Sequence, residues 1–259
     1  MRTLVGINNL TMVDQMAYAN HSQFWYRLGV WKGREESAGR EVYFALCNPR
    51  RMTIDRMRNE AAKIALEGDF DYLMFIDDDV LVPFDAFHKL IKHDKDIIAG
   101  VTIIRGYPFH PMIFNFSEEY KDNNYVMNYK DKADPETGLL ECSAVGFSCC
   151  LIKVDLLRKM MPPFFITSHN QTEDVYFCKR AKEQFPETSV FVDCTLHTGH
   201  ILGSDIVEPN SVEQWRKFEE ERNPALLEEK NKRGDREPKD TLKLVDAFPD
   251  KLEKEAVCP

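Results

Sequence analysis

The 259-residue sequence has no apolar run close to the roughly 18 residues that a membrane-spanning helix needs. Its first residues, MRTLVGINNLT, are interrupted by Asn8 and Asn9 before the apolar region of a secretory signal could form. The sequence also has no internal repeats and no low-complexity tract. These absences argue against a membrane partner and a repeat architecture, and they predict a cytoplasmic protein.

Cysteine spacing excludes the common zinc and redox motifs. None of the 7 cysteines forms a CxxC pair. Most lie in apolar segments such as GFSCCLI and VYFC, where a free thiol behaves as a small core residue. We therefore expect buried free cysteines and no disulfide framework.

Basic residues are outnumbered, since 34 Lys and Arg against 43 Asp and Glu give a net charge of −9. This charge gives no support to a general binder of nucleic-acid backbones, although a local basic groove is compatible with it. Hydrophobic residues make up 43% of the chain, which can fill a core and excludes wholesale disorder. The positions of the acidic residues along the chain are therefore more informative than the net charge.

Strand-like and helix-like segments alternate over the first hundred residues. Strands are predicted at 3–7, 41–47, 72–76 and 96–101, and helices at 12–28, 53–68 and 83–91. Short β segments bounded by turns follow at 101–150, and then helices at 154–161 and 173–185 and a strand at 189–194. This order predicts an α/β/α sandwich of Rossmann type, with a central, mostly parallel sheet and a small β region.

The composition changes near residue 205. About half of residues 205–259 are charged, which predicts solvated surface helices and a loose tail, with an interaction tail as the alternative. We therefore predict a main domain at 1–204, with halves at 1–100 and 101–204, and a charged helical extension at 205–259.

Three consecutive acidic residues, Asp77, Asp78 and Asp79, directly follow the apolar strand YLMFI. Adjacent carboxylates repel one another, so all three stay charged only near a cation or hydrogen-bond donors. The carboxyl end of a strand in an open α/β sheet is also where such folds bind ligands. Asp77 and Asp79 can face one side and offer two oxygen ligands to Mg²⁺ or Mn²⁺; helix capping by Asp78 or Asp79 is the alternative.

Two later clusters are ambiguous by themselves. Thr172, Glu173 and Asp174 open a predicted helix, which fits either ordinary capping or a general base acting on an acceptor hydroxyl. His197 and His200 follow the strand SVFVDC, where one imidazole could complete a metal site or serve the structure alone.

Arginine side chains are candidates for binding phosphate. Arg56 and Arg58, with Asn59, lie on the helix before the acidic strand, and an Arg fork binds diphosphate oxygens bidentately. Solvated helix charges are the alternative. The segment RGYPFHP follows another predicted strand, and its polar residues are Arg105, Tyr107 and His110. It could line a donor or acceptor pocket, and an ordinary loop is the alternative.

Taken in order, these segments resemble the glycosyltransferases of the GT-A fold. DYLMFIDDDVLVP matches their DxD motif, and MTIDRMRNEAAKIAL is similar to the Arg-Asn helix that precedes it in family 2 enzymes. GFSCCLIKVDLL resembles the strand before the acceptor loop. TEDVYFCKRAKEQFPETSVFVDCTLHTGHI is similar to a stretch of the polypeptide GalNAc-transferases. The resemblance covers about residues 1–205 and is closest to compact bacterial or bacteriophage domains.

The resemblance implies a metal-dependent glycosyltransferase of the hexosyltransferase type. Such an enzyme moves a sugar from a UDP- or GDP-sugar to a hydroxyl of a glycan, a protein or, in a phage, a modified DNA base, with Mn²⁺ or Mg²⁺ as cofactor. The implied metal ligands are Asp77, Asp79 and His200. The implied catalytic acids are Asp174, as the base, and Glu173. The implied donor-binding residues are Asn8, Arg56, Arg58, Asn59, Asp77, Asp78, Arg105 and Gly146.

The sequence departs from the family in several ways, and alternatives follow. It shows neither the QXXRW motif of processive family 2 enzymes nor the lectin domain and anchor of the GalNAc-transferases. A catalytically silent nucleotide-sugar-binding module is one alternative. A haloacid dehalogenase-type phosphohydrolase is less well supported, because that family wants Thr or Val where Leu81 stands. A nucleotidyltransferase would need a glycine-rich amino-terminal loop that this sequence lacks.

Overall fold

The computed structural model describes residues 1–8, 13–116, 123–169 and 171–226. Its strands are β1 (Arg2–Asn8), β2 (Tyr43–Cys47), β3 (Tyr72–Asp77), β4 (Val80–Leu81), β5 (Ile97–Val101), β6 (Ile113–Phe116), β7 (Asn123–Tyr125), β8 (Leu139–Glu141), β9 (Ala144–Val145), β10 (Cys149–Lys153), β11 (Val190–His197), β12 (Gly199–Leu202) and β13 (Asp205–Val207). Its helices are α1 (Gln15–Ser37), α2 (Ile54–Glu67), α3 (Ala86–Lys92), α4 (Tyr129–Lys132), α5 (Val154–Lys159), α6 (Glu173–Gln184) and α7 (Val212–Arg222).

A 7-stranded sheet in the order β2-β1-β3-β10-β5-β11-β8 forms the centre of the molecule. β1 pairs in parallel with both β2 and β3, and β5 pairs in parallel with β11, whereas β10 and β8 are antiparallel to their neighbours. Two 3-stranded sheets, β13-β12-β4 and β7-β6-β9, accompany it. The predicted α/β fold, with a mostly parallel central sheet and a small β region, is confirmed.

Helices cover both faces of the central sheet because its inner strands are apolar on both sides. Along β3, Leu73 and Phe75 pack with residues of α2, α5 and α6, whereas Met74 and Ile76 pack with residues of α1 and α3. The alternation of side chains along an extended strand separates these two sets. The sheet is therefore the middle layer of a sandwich, and its carboxyl edge is the surface on which polar residues can gather.

The structure shifts several predicted boundaries. Helix α1 runs to Ser37, beyond the predicted end at residue 28, and the predicted first residue, Met12, lies outside the described residues. Asp14 caps α1 by accepting a 2.7 Å hydrogen bond from the Met16 amide. Helix α3 begins at Ala86, three residues after the predicted start, because the preceding residues form a turn.

The predicted extension begins with a strand and not with a helix. β13 pairs with β12, so Asp205–Val207 belongs to the small sheet that also contains β4. Helix α7 follows, and residues 227–259 of the extension lie outside the described residues. Among the helices of the described ranges, none has both the length and the apolar character needed to cross a membrane.

Candidate functional site

The acidic triplet lies at the carboxyl edge of the central sheet. Asn8 and Asp77 end the neighbouring strands β1 and β3 and are partners in their register. Asp78 and Asp79 form the turn from β3 to β4, and β4 pairs with β12 so that Val80 lies opposite His200. Parallel pairing and one small sheet thus bring together polar residues that are far apart in the sequence.

Asn8 is buried at this edge, and both side-chain amide atoms lack a hydrogen-bond partner within the described part of the chain. A buried, unpaired amide costs free energy comparable to a lost hydrogen bond. Asn8 is therefore suited to bind a polar group of a ligand, and its donor-binding role stays a prediction.

Arg58 lies at the centre of a buried ion cluster. Its side chain is 3% exposed, its Nη2 donates to Asp77 Oδ1 at 3.1 Å, and its Nη1 lies 3.0 Å from Glu173 Oε1. The guanidinium carbon lies 5.4 Å from the ring centroids of both Phe75 and Phe147. Burial opposes the charged form, but the surrounding carboxylates outweigh it and raise the pKa of Arg58. The resemblance implies that Arg58 contacts a donor. In the structure Arg58 is buried and bridges the carboxylates of Asp77 and Glu173.

The two acids that open α6 are both buried but have different partners. Glu173 faces Arg58, and burial raises the Glu173 pKa even though the arginine charge opposes this effect. Asp174 accepts hydrogen bonds on Oδ1 from the Thr172 hydroxyl and, at 2.7 Å, from the Val175 amide. Among the described residues, none donates a hydrogen bond to Asp174 Oδ2. One acid is thus held in an ion pair, while the other keeps an oxygen for a further partner.

Asp79 and His200 form a second pair, with His200 Nε2 3.5 Å from Asp79 Oδ1. His200 Nδ1 lies 2.7 Å from the Ile103 carbonyl oxygen. Because a carbonyl only accepts hydrogen bonds, Nδ1 carries a proton, and the other ring nitrogen, Nε2, faces the Asp79 carboxylate. A proton on Nε2, or a cation bound by both side chains, would stabilise this contact.

Arg105 also contacts this pair, since its Nη1 lies 2.8 Å from Asp79 Oδ2. Burial acts to raise the pKa of Asp79, but the hydrogen bond and charge of His200 and the charge of Arg105 outweigh burial and lower the pKa below its ordinary value. Asp79 is therefore a carboxylate that is kept charged by cationic partners.

The predicted three-residue metal set is assembled only in part. Asp79 and His200 are adjacent, but Asp77 pairs with Arg58, and within the described ranges no three His, Cys, Asp or Glu side chains are grouped to hold one ion. The chemistry of the Asp79–His200 pair still fits Mn²⁺ or Mg²⁺, which often bind one or two protein ligands and complete their coordination with water and substrate phosphates. The Nδ1 contact to a carbonyl is also the usual support of a metal-binding histidine.

Arg56 and Asn59 line a groove of about 970 Å³ between α2 and residues 157–164. The Asn59 side chain binds backbone there, because its Nδ2 donates to the Phe165 carbonyl at 2.6 Å and its Oδ1 accepts from the Phe164 amide at 2.8 Å. Asn59 thereby fixes the segment that leads toward α6. The structure shows this structural role, and it does not bring Arg56 or Asn59 into contact with the acids of the sheet edge.

Gly146 and His197 have local partners. A Cβ at Gly146 would lie 2.5 Å from Cε and 2.8 Å from Cβ of Met112, so the neighbouring chain already explains a glycine where the resemblance implies proximity to a donor sugar. His197 Nε2 lies 3.0 Å from the Cys194 carbonyl oxygen, and this residue was not assigned to the metal set.

Helix α1 supplies two residues near the acidic turn that the sequence pattern does not single out as site residues. The Asn20 side chain exchanges two hydrogen bonds with the backbone of Val82, at 2.8 and 3.0 Å. His21 Nε2 lies 2.9 Å from the Val80 carbonyl oxygen, and burial lowers the His21 pKa. Together they hold β4 immediately after the acidic turn. The signal in the sequence is a pair of polar residues among the apolar positions Ala17, Phe24 and Leu28 that form the buried side of α1.

Tyr125 is a third residue that the sequence pattern does not single out, and it lies near Asp174. Burial raises its pKa, and the charge of Asp174 adds to this effect. Its ring centroid lies 4.7 Å from that of His110. His110 is buried, neither ring nitrogen has a hydrogen-bond partner within the described residues, and burial lowers its pKa to about 4. A buried imidazole therefore packs against the phenol ring that lies near Asp174.

Comparison with solved structures supports the fold. A197 from STIV is 20% identical, with a TM-score of 0.51 over 81% of this chain and 91% of that chain. HddC from Yersinia pseudotuberculosis is 11% identical, with a TM-score of 0.37 over 78% of this chain and 94% of that chain. An apo UDP-glucose pyrophosphorylase is 8% identical, with a TM-score of 0.37 over 84% of this chain and 82% of that chain. No protein-family model and no curated protein matches the chain.

Proposed function

We propose that this protein is a metal-dependent glycosyltransferase that moves a sugar from a nucleoside-diphosphate sugar to an acceptor hydroxyl. The observation that carries the proposal is the Asp79–His200 pair, in which an imidazole nitrogen and a carboxylate oxygen, both possible metal ligands, lie 3.5 Å apart. This pair lies at the carboxyl edge of the sheet, where open α/β folds bind ligands. The similarity to A197 from STIV concerns the fold alone, and the support for the activity comes from the geometry of the site.

In this proposal the diphosphate of the donor is bound by Asp79, His200 and Arg105. A divalent cation held by Asp79 and His200 would neutralise the charge that develops on the leaving diphosphate. Arg105 supplies a guanidinium fork, which matches phosphate oxygens, within 2.8 Å of Asp79. Asn8, with its buried unpaired amide, would bind a polar group of the donor.

The acceptor hydroxyl is activated by Asp174, which acts as the general base. The acceptor oxygen bonds to the anomeric carbon while the bond from that carbon to the diphosphate oxygen breaks. The proton of the acceptor hydroxyl passes to a base, and Asp174 Oδ2 is the oxygen available for it. Glu173 is less suited to this role because its carboxylate contacts Arg58. Residues of a glycan, a protein or a modified DNA base all offer such a hydroxyl.

The test is to incubate the protein with Mn²⁺ and a panel of UDP- and GDP-sugars and to measure release of the nucleoside diphosphate, with water as the slow acceptor. We expect release from at least one donor. Asp79→Ala should abolish it, whereas Asp85→Ala, which removes an exposed acid paired with Lys89, should not. Full activity of Asp79→Ala would refute the site.

The same assay separates the base from the donor site. Asp174→Asn should lower the rate of donor hydrolysis by about 100-fold or more, because a positioned general base contributes on that order. Binding of UDP or GDP with Mn²⁺ should stay unchanged. Formation of a nucleoside triphosphate and a sugar 1-phosphate after addition of pyrophosphate would instead identify a nucleotidyltransferase. Donor binding without turnover would identify a silent binding module.

A further inference from the structure

We infer that helix α7 positions the loop 104–110, which brings Arg105 to Asp79. The sequence predicts α7 as a solvated, charged surface helix, and nothing in its composition suggests a functional role. The structure joins it to the loop by polar and apolar contacts. The inference rests on the proposed function only where it assigns Arg105 to the diphosphate of the donor.

Polar contacts connect the two segments directly. Arg216 Nε donates a 2.8 Å hydrogen bond to the Pro108 carbonyl oxygen. The Tyr107 hydroxyl donates a 3.0 Å hydrogen bond to Glu220 Oε1. Hydrogen bonds that involve a charged partner are stronger than those between neutral groups. Two charged residues of α7 therefore bind two successive residues of the loop.

Apolar packing adds a third contact. The ring of Phe109 is buried, and its centroid lies 6.1 Å from that of Trp215 in α7. Trp215 Nε1 in turn donates a 3.2 Å hydrogen bond to the Ile206 carbonyl oxygen in β13. Helix α7 is thus bound to the small sheet, and the loop is bound to α7.

The loop conformation itself requires this support. Phe109 has φ of 57°, in the left-handed region that a bulky residue adopts only when its surroundings impose it. The surroundings of its ring are Tyr107, in the loop, and Trp215, in α7. Packing against α7 is therefore part of what holds the loop in this conformation.

Arg105 cannot hold the loop by itself. Its side chain is 52% exposed, and its ion pair with Asp79 is of the exposed kind, which contributes little to stability. The position of the guanidinium therefore depends on where the loop backbone lies. By this reasoning Arg216, Glu220 and Tyr107 are positioning residues that act through Arg105.

Amide hydrogen exchange tests, without any ligand, whether α7 holds the loop 104–110 in place. The Ile104 amide donates to the His110 carbonyl at 2.9 Å, and the Phe109 amide donates to the Gly106 carbonyl at 2.7 Å, so both report on the loop. We expect Glu220→Ala to speed their exchange about tenfold. Glu220→Gln, which keeps an acceptor oxygen, should stay near the rate of the unmodified protein.

The matched control is Glu221→Ala, the next residue of α7, whose exposed carboxylate lies 3.9 Å from Lys217 Nζ. It should leave exchange of both loop amides unchanged. Equal exchange rates in Glu220→Ala, Glu221→Ala and the unmodified protein would overturn the inference that α7 holds the loop.

A double-mutant cycle tests the functional part, with Mn²⁺-dependent binding of UDP and GDP as the readout. Glu220→Ala should weaken binding about three- to tenfold, but it should have no further effect when Arg105→Ala is already present. An equal loss in both backgrounds would show that α7 does not act through Arg105, and the inference would fail. If the unmodified protein binds neither nucleotide, the proposed function fails, while the exchange rates still decide whether α7 positions the loop.

Discussion

Replacing Arg58 removes the central charge of the buried ion cluster, and we expect Arg58→Met to lower the free energy of unfolding by about 3 kcal/mol at pH 7. Removing one partner of a buried ion pair costs about 3–5 kcal/mol, because the other charge is left uncompensated. The lower end applies here since the Asp77 side chain keeps 21% exposure and can be hydrated, whereas Glu173 keeps 8%. Methionine preserves most of the packing between Phe75 and Phe147, so the loss reports mainly on charge.

The pH dependence of this loss identifies the uncompensated acid. Burial already raises the Glu173 pKa above its ordinary 4.5, and loss of the Arg58 charge should raise it further. A carboxyl group with a raised pKa binds more protons in the folded than in the unfolded state, so its penalty is present at pH 7 and diminishes as the pH falls through the folded pKa. The difference in stability between Arg58→Met and the unmodified protein should therefore be smaller at pH 5 than at pH 7.

Urea unfolding followed by circular dichroism at both pH values measures these quantities. Arg56→Met is the matched control, because Arg56 lies on the same helix two residues earlier and is exposed, so its loss should stay within about 0.5 kcal/mol. Arg58→Lys keeps a charge but not the fork, and its stability should fall between the two. A loss below about 1 kcal/mol for Arg58→Met, or a loss that does not change with pH, would refute the ion-cluster reasoning.

Two further predictions concern residues near the site. The buried His110 has a pKa of about 4, below its ordinary 6.5, so the unfolded state binds the proton first and stability falls as the pH decreases below 6.5. His110→Phe should remove about 2 kcal/mol of the stability that the protein loses between pH 7 and pH 5, and an unchanged loss in urea unfolding would contradict this account. Gly146→Ala should destabilise by about 1–3 kcal/mol because its Cβ would meet Met112. Met112→Gly removes every Met112 atom that the new Cβ would meet, so in thermal unfolding the Gly146→Ala/Met112→Gly double variant should lose less stability than the sum of the two single variants. Additive losses would place the clash elsewhere.

Several parts of the fold could be predicted from the sequence because they depend on local patterns. The continuous apolar run YLMFI predicts a strand buried on both faces, and β3 is that strand. Thr172, followed by two acids, predicts the start of a helix, and α6 begins at Glu173. Both signals arise within a few neighbouring residues, so they do not depend on distant partners.

The partners of the charged residues could not be predicted in this way. Arg58 on α2 and Glu173 on α6 are separated by more than a hundred residues, and they meet only because both helices pack on the same face of the sheet. The prediction of Asp77 as a metal ligand gives no indication that Asp77 pairs with Arg58. The composition of α7 likewise gives no indication that Glu220 would bind Tyr107.

The sequence by itself determined the alternation of strands and helices, the two-sided burial of β3 and the presence of acids at its end, because apolar periodicity and turn residues act locally. It also contained the excess of acidic residues that gives a net charge of −9. Only the tertiary structure decided which of those acids meet cations. Asp77 and Glu173 share Arg58, and Asp79 meets His200 and Arg105, because strand register and helix packing bring these residues together across long stretches of chain. Charge pairing depends on distance in space, and a sequence specifies that distance only through the complete fold.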